Sequence, residues 1–251
     1  MSRNQIPKVR FQCMRVSDYF DSVYLGSERF WWRGPGRYAL EPDAYPLSLL
    51  TQQTLRLLRG RTPGRALDIG AGEGTDAIRL AMLGYEVDAV ELSSVGAKKI
   101  ECFAEETGVK VRVLAADVQD FAPDGSYDVI VCNGVLHYVS DKRAVVELMQ
   151  QATWPGGLNV ISLWSTHTPV PGCHDFVPVY CDDEQGVVTG SYESWRTEFV
   201  YFERDKPESA HSDLPAHRHS HIKLIASKPG PLPKRSSRLF RRTSATLARG
   251  P

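Results

Sequence analysis

The segment ALDIGAGEGT, Ala66 to Thr75, runs from an apolar strand-like stretch through Gly70, Gly72 and Gly74 into a helical pattern. Glycines at that junction let the backbone approach a ligand at the carboxyl end of a strand, where open α/β sheets bind nucleotides. Glu91 closes the next strand-like run, 21 residues after Gly70, and a carboxylate there can accept from both hydroxyls of a ribose. Asp117, in the segment AADVQDF, is placed to accept from the exocyclic amine of an adenine, with Val118 against the ring. A pyrophosphate fingerprint would need Gly or Ala at position 75, where Thr75 stands. Asp68, Glu73 and Asp76 surround the turn with carboxylates that repel a diphosphate and suit a cation. The chemistry implied is recognition of an adenosine with free ribose hydroxyls and a cationic end.

Five short apolar runs must position these residues: Arg65 to Ile69, Glu86 to Glu91, Val111 to Ala115, Tyr127 to Cys132 and Leu158 to Leu163. Each is short and apolar enough for a parallel strand covered on both faces. Helical patterns lie between them, Thr75 to Leu83, Val95 to Thr107 and Asp141 to Thr153, with Gly or Pro stops where helix ends favour them. An amphipathic helix over Pro46 to Arg59 precedes the sheet, with Leu47, Leu50, Leu57 and Leu58 on one face. Residues 165–190 form a long connection, and two further strands, Glu198 to Glu203 and His221 to Ser227, should close the sheet as an antiparallel hairpin.

Composition narrows the function. The 251 residues carry thirty basic and thirty acidic side chains, so there is no global basic field to gather nucleic acid or anionic lipid. No run approaches the roughly 20 apolar residues of a membrane span. Five cysteines, none in a CxxC pair, and the absence of a leader-like start point to a reduced, cytoplasmic setting. Residues 228–251 hold seven Lys or Arg, four prolines and no acid; they read as a disordered basic tail. The expected organisation is an N-terminal helical and aromatic lid segment over 1–60, a ligand-binding domain over 61–227, and the tail.

Asp68, Gly70, Gly72, Glu91, Asp117 and the strand YDVIVCNGVLHYV together resemble the class I S-adenosylmethionine-dependent methyltransferases, over about residues 60–165. The resemblance implies an α/β Rossmann-like fold: a seven-stranded, mostly parallel sheet with helices on both faces and an antiparallel C-terminal strand. It implies S-adenosyl-L-methionine as cofactor, with Asp68, Gly70, Ala71 and Gly72 near its methionine part and Asn133 near the sulfonium. Glu91 with Leu92 would serve the ribose, and Asp117 with Val118 the adenine. More loosely, DYFDSVY, the loop HTPVPGCHDFVPVY, GSYESWRTEFVYFE and the ending HIKLIASK are similar to the tellurite-resistance methyltransferases, and FWWRGPGRY to the thiopurine methyltransferases.

Methyl transfer is an in-line displacement that needs position more than a catalytic group. Should the nucleophile arrive protonated, His137 is the first candidate base, with an apparent pKa near the ordinary value of about 6.5 moved by whatever burial and charges surround it, and His174 and Asp175 are next. Aromatics before the glycine loop could cover the site, and Tyr19, Trp32, Tyr38 and Tyr138 are the candidate substrate contacts. His217, His219 and His221 alternate on one strand face, and Cys173, His174 and Cys181 share a loop. Neither set has the spacing of a structural zinc site, a solvated hairpin and an ordinary loop explain them, and no metal is expected. The leading reading is methyl transfer to a small molecule, with no membrane partner and nucleic acid disfavoured. The alternatives are a peptide or RNA methyltransferase docking through the tail, and a non-catalytic S-adenosylmethionine-binding protein.

Overall fold

The computed structural model describes residues 14–31, 37–44, 47–211 and 214–231. Helix α1 (Val16–Leu25) and α2 (Leu49–Leu58) precede a run of β1 (Arg65–Ile69), α3 (Thr75–Met82), β2 (Glu86–Glu91), α4 (Ser94–Thr107) and β3 (Val111–Ala115). Then come β4 (Tyr127–Asn133), α5 (Lys142–Gln151), β5 (Thr153–Trp164), α6 (Val187–Ser191), β6 (Arg196–Glu208) and β7 (His217–Ser227). The strands form one sheet in the order β3-β2-β1-β4-β5-β7-β6. β1 to β5 are parallel, β7 is antiparallel to β5, and β6 returns antiparallel to β7 at the edge. The order reverses at β1 and β4, the kind of switch point at which open α/β sheets bind ligands.

Alternation along the strands builds two apolar layers. Ile130 and Cys132 face Val145, Val146 and Met149 of α5 and Val188 of α6. Val129 and Val131 face Leu50 and Leu58 of α2, Leu80 of α3 and Ile100 of α4. Helices therefore cover both faces.

Several boundaries differ from the sequence expectations. The helix expected from Pro46 begins at Leu49, because the Ser48 hydroxyl accepts from the Thr51 amide at 3.1 Å and caps it; Leu47 is buried but lies outside the helix. Asp141 is the cap of α5 and not its first residue, accepting from Ala144 N at 3.0 Å. The closing hairpin is longer at its tip than its apolar pattern suggested, because edge strand β6 tolerates the charged stretch ERDKPE. A bulge sets Arg204 and Asp205 against Ser220 alone, and beyond it Lys206 pairs with His219 and Glu208 with His217. Asp205 sits at φ 51° there, and its amide donates to the Ser220 hydroxyl at 2.8 Å.

Candidate active site

A cavity of about 870 Å³ opens at the carboxyl ends of β1, β2 and β4, under α1, a size in the usual range for small-molecule sites. The glycine turn forms one wall. Gly70 and Ala71 donate to the Val90 carbonyl at 2.8 and 3.1 Å, which fastens the turn to the end of β2. Gly70 holds φ at 63°, and a Cβ there would lie 2.3 Å from Cγ2 of Val135. Gly72, at φ 60°, would set a Cβ 3.0 Å from the Tyr24 hydroxyl. Both positions favour glycine by backbone angle, and Gly70 requires it by space as well.

The carboxylates around the turn have different tasks, which corrects the expectation that all of them wait for a cation. Glu73 is buried and already engaged: it accepts from Phe30 N at 2.7 Å, Trp31 N at 2.9 Å and Lys99 Nζ at 2.8 Å, tying the N-terminal segment to the turn. Asp76 pairs with Arg79 at 2.5 Å and accepts from Asn133 Nδ2 at 3.1 Å. Asp68 alone keeps a buried oxygen, Oδ2, with no partner. Its burial, reinforced by Asp76, holds its carboxyl well above the usual carboxylate range. Glu91 accepts from Gly72 N at 2.7 Å and Ser93 N at 2.8 Å, and each oxygen can accept further bonds. Burial outweighs those two amides and pushes Glu91 up to about 7. Asp117 caps its own turn by accepting from Gln119 N at 2.9 Å, while also lining the cavity with Leu92, Val118 and Asn133.

The other half of the cavity is aromatic. Trp164 ends β5 and is sandwiched by two imidazoles, His137 at 4.2 Å and 11° and His219 at 3.7 Å and 18°. Tyr19, Tyr138 and His174 also line this half, as does Trp31 nearer the turn, its indole N–H donating to the Tyr24 hydroxyl at 3.1 Å. Trp32 lies outside the described residues. Tyr38 does not reach the cavity; it packs on Ile78, Phe103 and Ala104 behind α3 and α4. Asp175 is exposed and absent from the lining, because the short turn Gly172–His174 buries His174 and leaves its neighbour in solvent.

The surroundings of His137 move it far from the ordinary imidazole value. It is buried beside Trp164, and burial together with the neighbouring histidines holds its pKa well below the usual value. Its Nδ1 accepts the Trp164 amide at 3.4 Å, which leaves the ring proton on Nε2. The ring is therefore a neutral donor, and its own titration is displaced from the region near 6.5.

The histidines read separately as a solvated hairpin and a polar loop form one buried cluster. His174 and His219 are 3% and 2% exposed, and Nε2 of His174 lies 3.4 Å from Nε2 of His217. The β6–β7 bulge brings Glu208 Oε2 to 3.6 Å from that same His217 nitrogen. Burial and mutual repulsion lower His174 to about 4 and His219 to about 3, so both are neutral near pH 7. The alternation at 217, 219 and 221 was legible in the sequence; Glu208 was not, since its pairing depends on the bulge.

An unpartnered, buried carboxylate oxygen beside a glycine turn, with Glu91 and Asp117 along the same wall, fits a ligand with a cationic amino acid end and an adenosine. The fold is the one implied by the resemblance to class I S-adenosylmethionine-dependent methyltransferases. A model of the methyltransferase domain family matches residues 44–226, and the chain belongs to that family. Over 135 residues the chain is 26% identical to a ubiquinone biosynthesis O-methyltransferase of Rickettsia akari, covering 53% of this chain and 54% of the relative. The chain thus spans about half the length of the curated relatives it matches. The fold is similar to TehB of Haemophilus influenzae, with TM-score 0.60 and 18% identity over 73% of this chain and 64% of that one. It is also similar to magnesium protoporphyrin IX methyltransferase of Synechocystis with bound S-adenosylmethionine, with TM-score 0.52 and 17% identity over 85% and 95% of the two chains. No helix among the described residues is long and apolar enough to cross a membrane.

Proposed function

We propose that this chain binds S-adenosyl-L-methionine against the glycine turn and transfers its methyl group to a small-molecule nucleophile held in the aromatic half of the cavity. The observation that carries this reading is the continuity of the cavity, which joins Asp68, Glu91 and Asp117 to the walls at Tyr19, Tyr138 and Trp164 without a break. The cofactor supplies an activated methyl group whose bonding electrons stay with sulfur as the carbon passes to the acceptor. Asp68 holds the cationic amino end, Glu91 the ribose and Asp117 the adenine edge. α1 and the segment tied down by Glu73 cover the cavity and exclude water. His137, with its proton on Nε2, orients an acceptor by donating a hydrogen bond and does not abstract its proton. The free cysteines among the described residues suit the cytoplasmic setting we assign.

Incubating the protein with methyl-labelled cofactor and a fractionated extract of its host should label a compound of metabolite size. Label confined to peptide or RNA, and lost on deleting residues 228–251, would favour a docking tail. Cofactor binding with no label in any fraction would favour a non-catalytic role.

The raised Glu91 carboxyl gives a pH signature. Ribose hydroxyls favour the ionised form, so binding should release a proton below pH 7, and affinity should climb with pH and level off above it. Adenosine has no group of its own titrating near neutrality. Its affinity should rise ~10-fold between about pH 6 and 8, and Glu91→Gln should flatten the profile. Glu91→Ala should weaken S-adenosylhomocysteine by roughly 10- to 100-fold, as expected for charge-assisted hydrogen bonds. A pH-independent wild type measured by calorimetry would remove Glu91 from the ribose site.

For His137, the wild-type rate profile should lack an ionisation limb near pH 6.5. A limb there that vanishes in His137→Gln would restore the imidazole as the base.

A further inference from the structure

We infer that Glu208, His217 and His219, at the tip of the β6–β7 hairpin, form a binding site for a divalent transition-metal ion of the zinc type in the wall of the acceptor half of the cavity. The ligand atoms of these three residues lie within 4.8 Å of one another. Zinc bonds of roughly 2.0–2.1 Å set tetrahedral ligand atoms ~3.3 Å apart, and the Glu208 Oε2 to His217 Nε2 distance of 3.6 Å is near that edge. Two imidazoles and one carboxylate also form a known protein donor set for zinc that leaves a coordination position open.

Three further features point to an ion. His217 Nδ1 lies 2.7 Å from the Pro215 carbonyl, so that nitrogen carries the proton and Nε2 presents its lone pair to the cluster, the outer contact that orients metal-binding imidazoles. His219 Nε2 is buried with no partner, and its ring is clamped on Trp164 at 3.7 Å. The bulge that places Glu208 opposite His217 costs two residues their regular pairing and sets Asp205 at positive φ, a local expense consistent with a functional site. Lys206, across from His219, is paired with Glu203 at 3.6 Å, while Glu208 brings a negative charge to the site itself. His174 and Cys173 approach His217 from the loop side as a second set with ligand atoms inside 4.8 Å. We assign the ion to the hairpin set because Glu208 and His219 line the cavity and Cys173 does not.

An ion at this place opens onto the acceptor half. There it would coordinate a hydroxyl or thiol acceptor and lower the pKa of that group, as a bound metal does for water. This consequence rests on the proposed methyl transfer; binding of the metal does not, so the two fail separately.

The test is titration of the full chain, dialysed against chelator, with zinc by calorimetry and with cobalt(II) by visible absorption. The expected result is one saturable site, a tetrahedral cobalt spectrum, and binding weakened at least 10-fold by His217→Ala, by Glu208→Gln and by His219→Gln. Circular dichroism reports whether each variant is folded. Should His217→Ala not fold, the other two variants decide, and the exposed Glu193→Gln serves as an unaffected control. Absence of saturable binding, or binding that Glu208→Gln and His219→Gln leave unchanged, overturns the site. A thiolate-to-cobalt band lost in Cys173→Ser would also overturn the assigned ligands, moving the ion to the loop set.

Discussion

Gly70→Ala should abolish useful cofactor binding, weakening S-adenosylhomocysteine by ~100-fold or more, about 2.7 kcal/mol. Two effects add at this position. The backbone is held at φ 63°, fastened by a hydrogen bond of 2.8 Å from its amide to the Val90 carbonyl, and a non-glycine residue there is strained by about 1–3 kcal/mol. The new methyl would meet Val135 Cγ2 at 2.3 Å. Valine is stiff at χ1, and Val135 itself lines the cavity, so its displacement narrows the space the ligand needs. The free protein should also lose several degrees of thermal stability. Calorimetry on the folded variant at 15 °C separates the two losses. Wild-type affinity in Gly70→Ala would show that the turn is not the cofactor's cradle. Gly108→Ala is the natural control, because it has positive φ of 69° but no atom within 4 Å of the added carbon; it should cost stability alone.

That wall was readable in the sequence because its logic is local. A strand followed at once by glycines with positive φ, then a strand ending at Glu91 and a third with Asp117 two residues beyond its end, leaves little freedom in where the carboxylates emerge. The parts that were not readable depend on contacts between distant residues. Glu73 reads as one more acid beside a ligand until the amides of Phe30 and Trp31, more than forty residues away, are seen to use it. His174 and Asp175 are adjacent and equally polar, yet a single short turn buries one and exposes the other. Tyr38 belongs by composition to the aromatic group before the glycine loop, and its backbone carries it behind α3 and α4 instead. Glu208 was hidden twice, first by a charged edge strand that has no apolar alternation and then by a bulge that shifts its register. Hydropathy patterning does not encode such a shift.

Asp68→Asn should separate the stability of the free protein from its affinity for a cationic ligand. In the ligand-free chain the Asp68 carboxyl is buried with one oxygen unpartnered, and its pKa is raised well above the usual value by burial and by Asp76. A carboxyl whose folded pKa lies above its unfolded value of about 3.9 contributes stability that is present below that value and is lost as pH rises through the folded pKa. At neutral pH the group is therefore a cost to the empty protein, and the amide should relieve it. The melting temperature of ligand-free Asp68→Asn should be unchanged or higher than wild type, and the decline in stability from pH 4 toward neutrality should be shallower. Binding should respond in the opposite direction. An ammonium beside Asp68 restores the carboxylate and pairs with it in a dry site, and removing one member of such a pair costs about 3–5 kcal/mol, ~100-fold or more in affinity. S-adenosylhomocysteine, which carries the ammonium, should show the full loss. Adenosine, which lacks it and depends on Glu91 and Asp117, should bind the variant almost as well as wild type. Equal weakening of both ligands, or a lower melting temperature with affinity intact, would make Asp68 a structural acid and leave the cation to another part of the cavity.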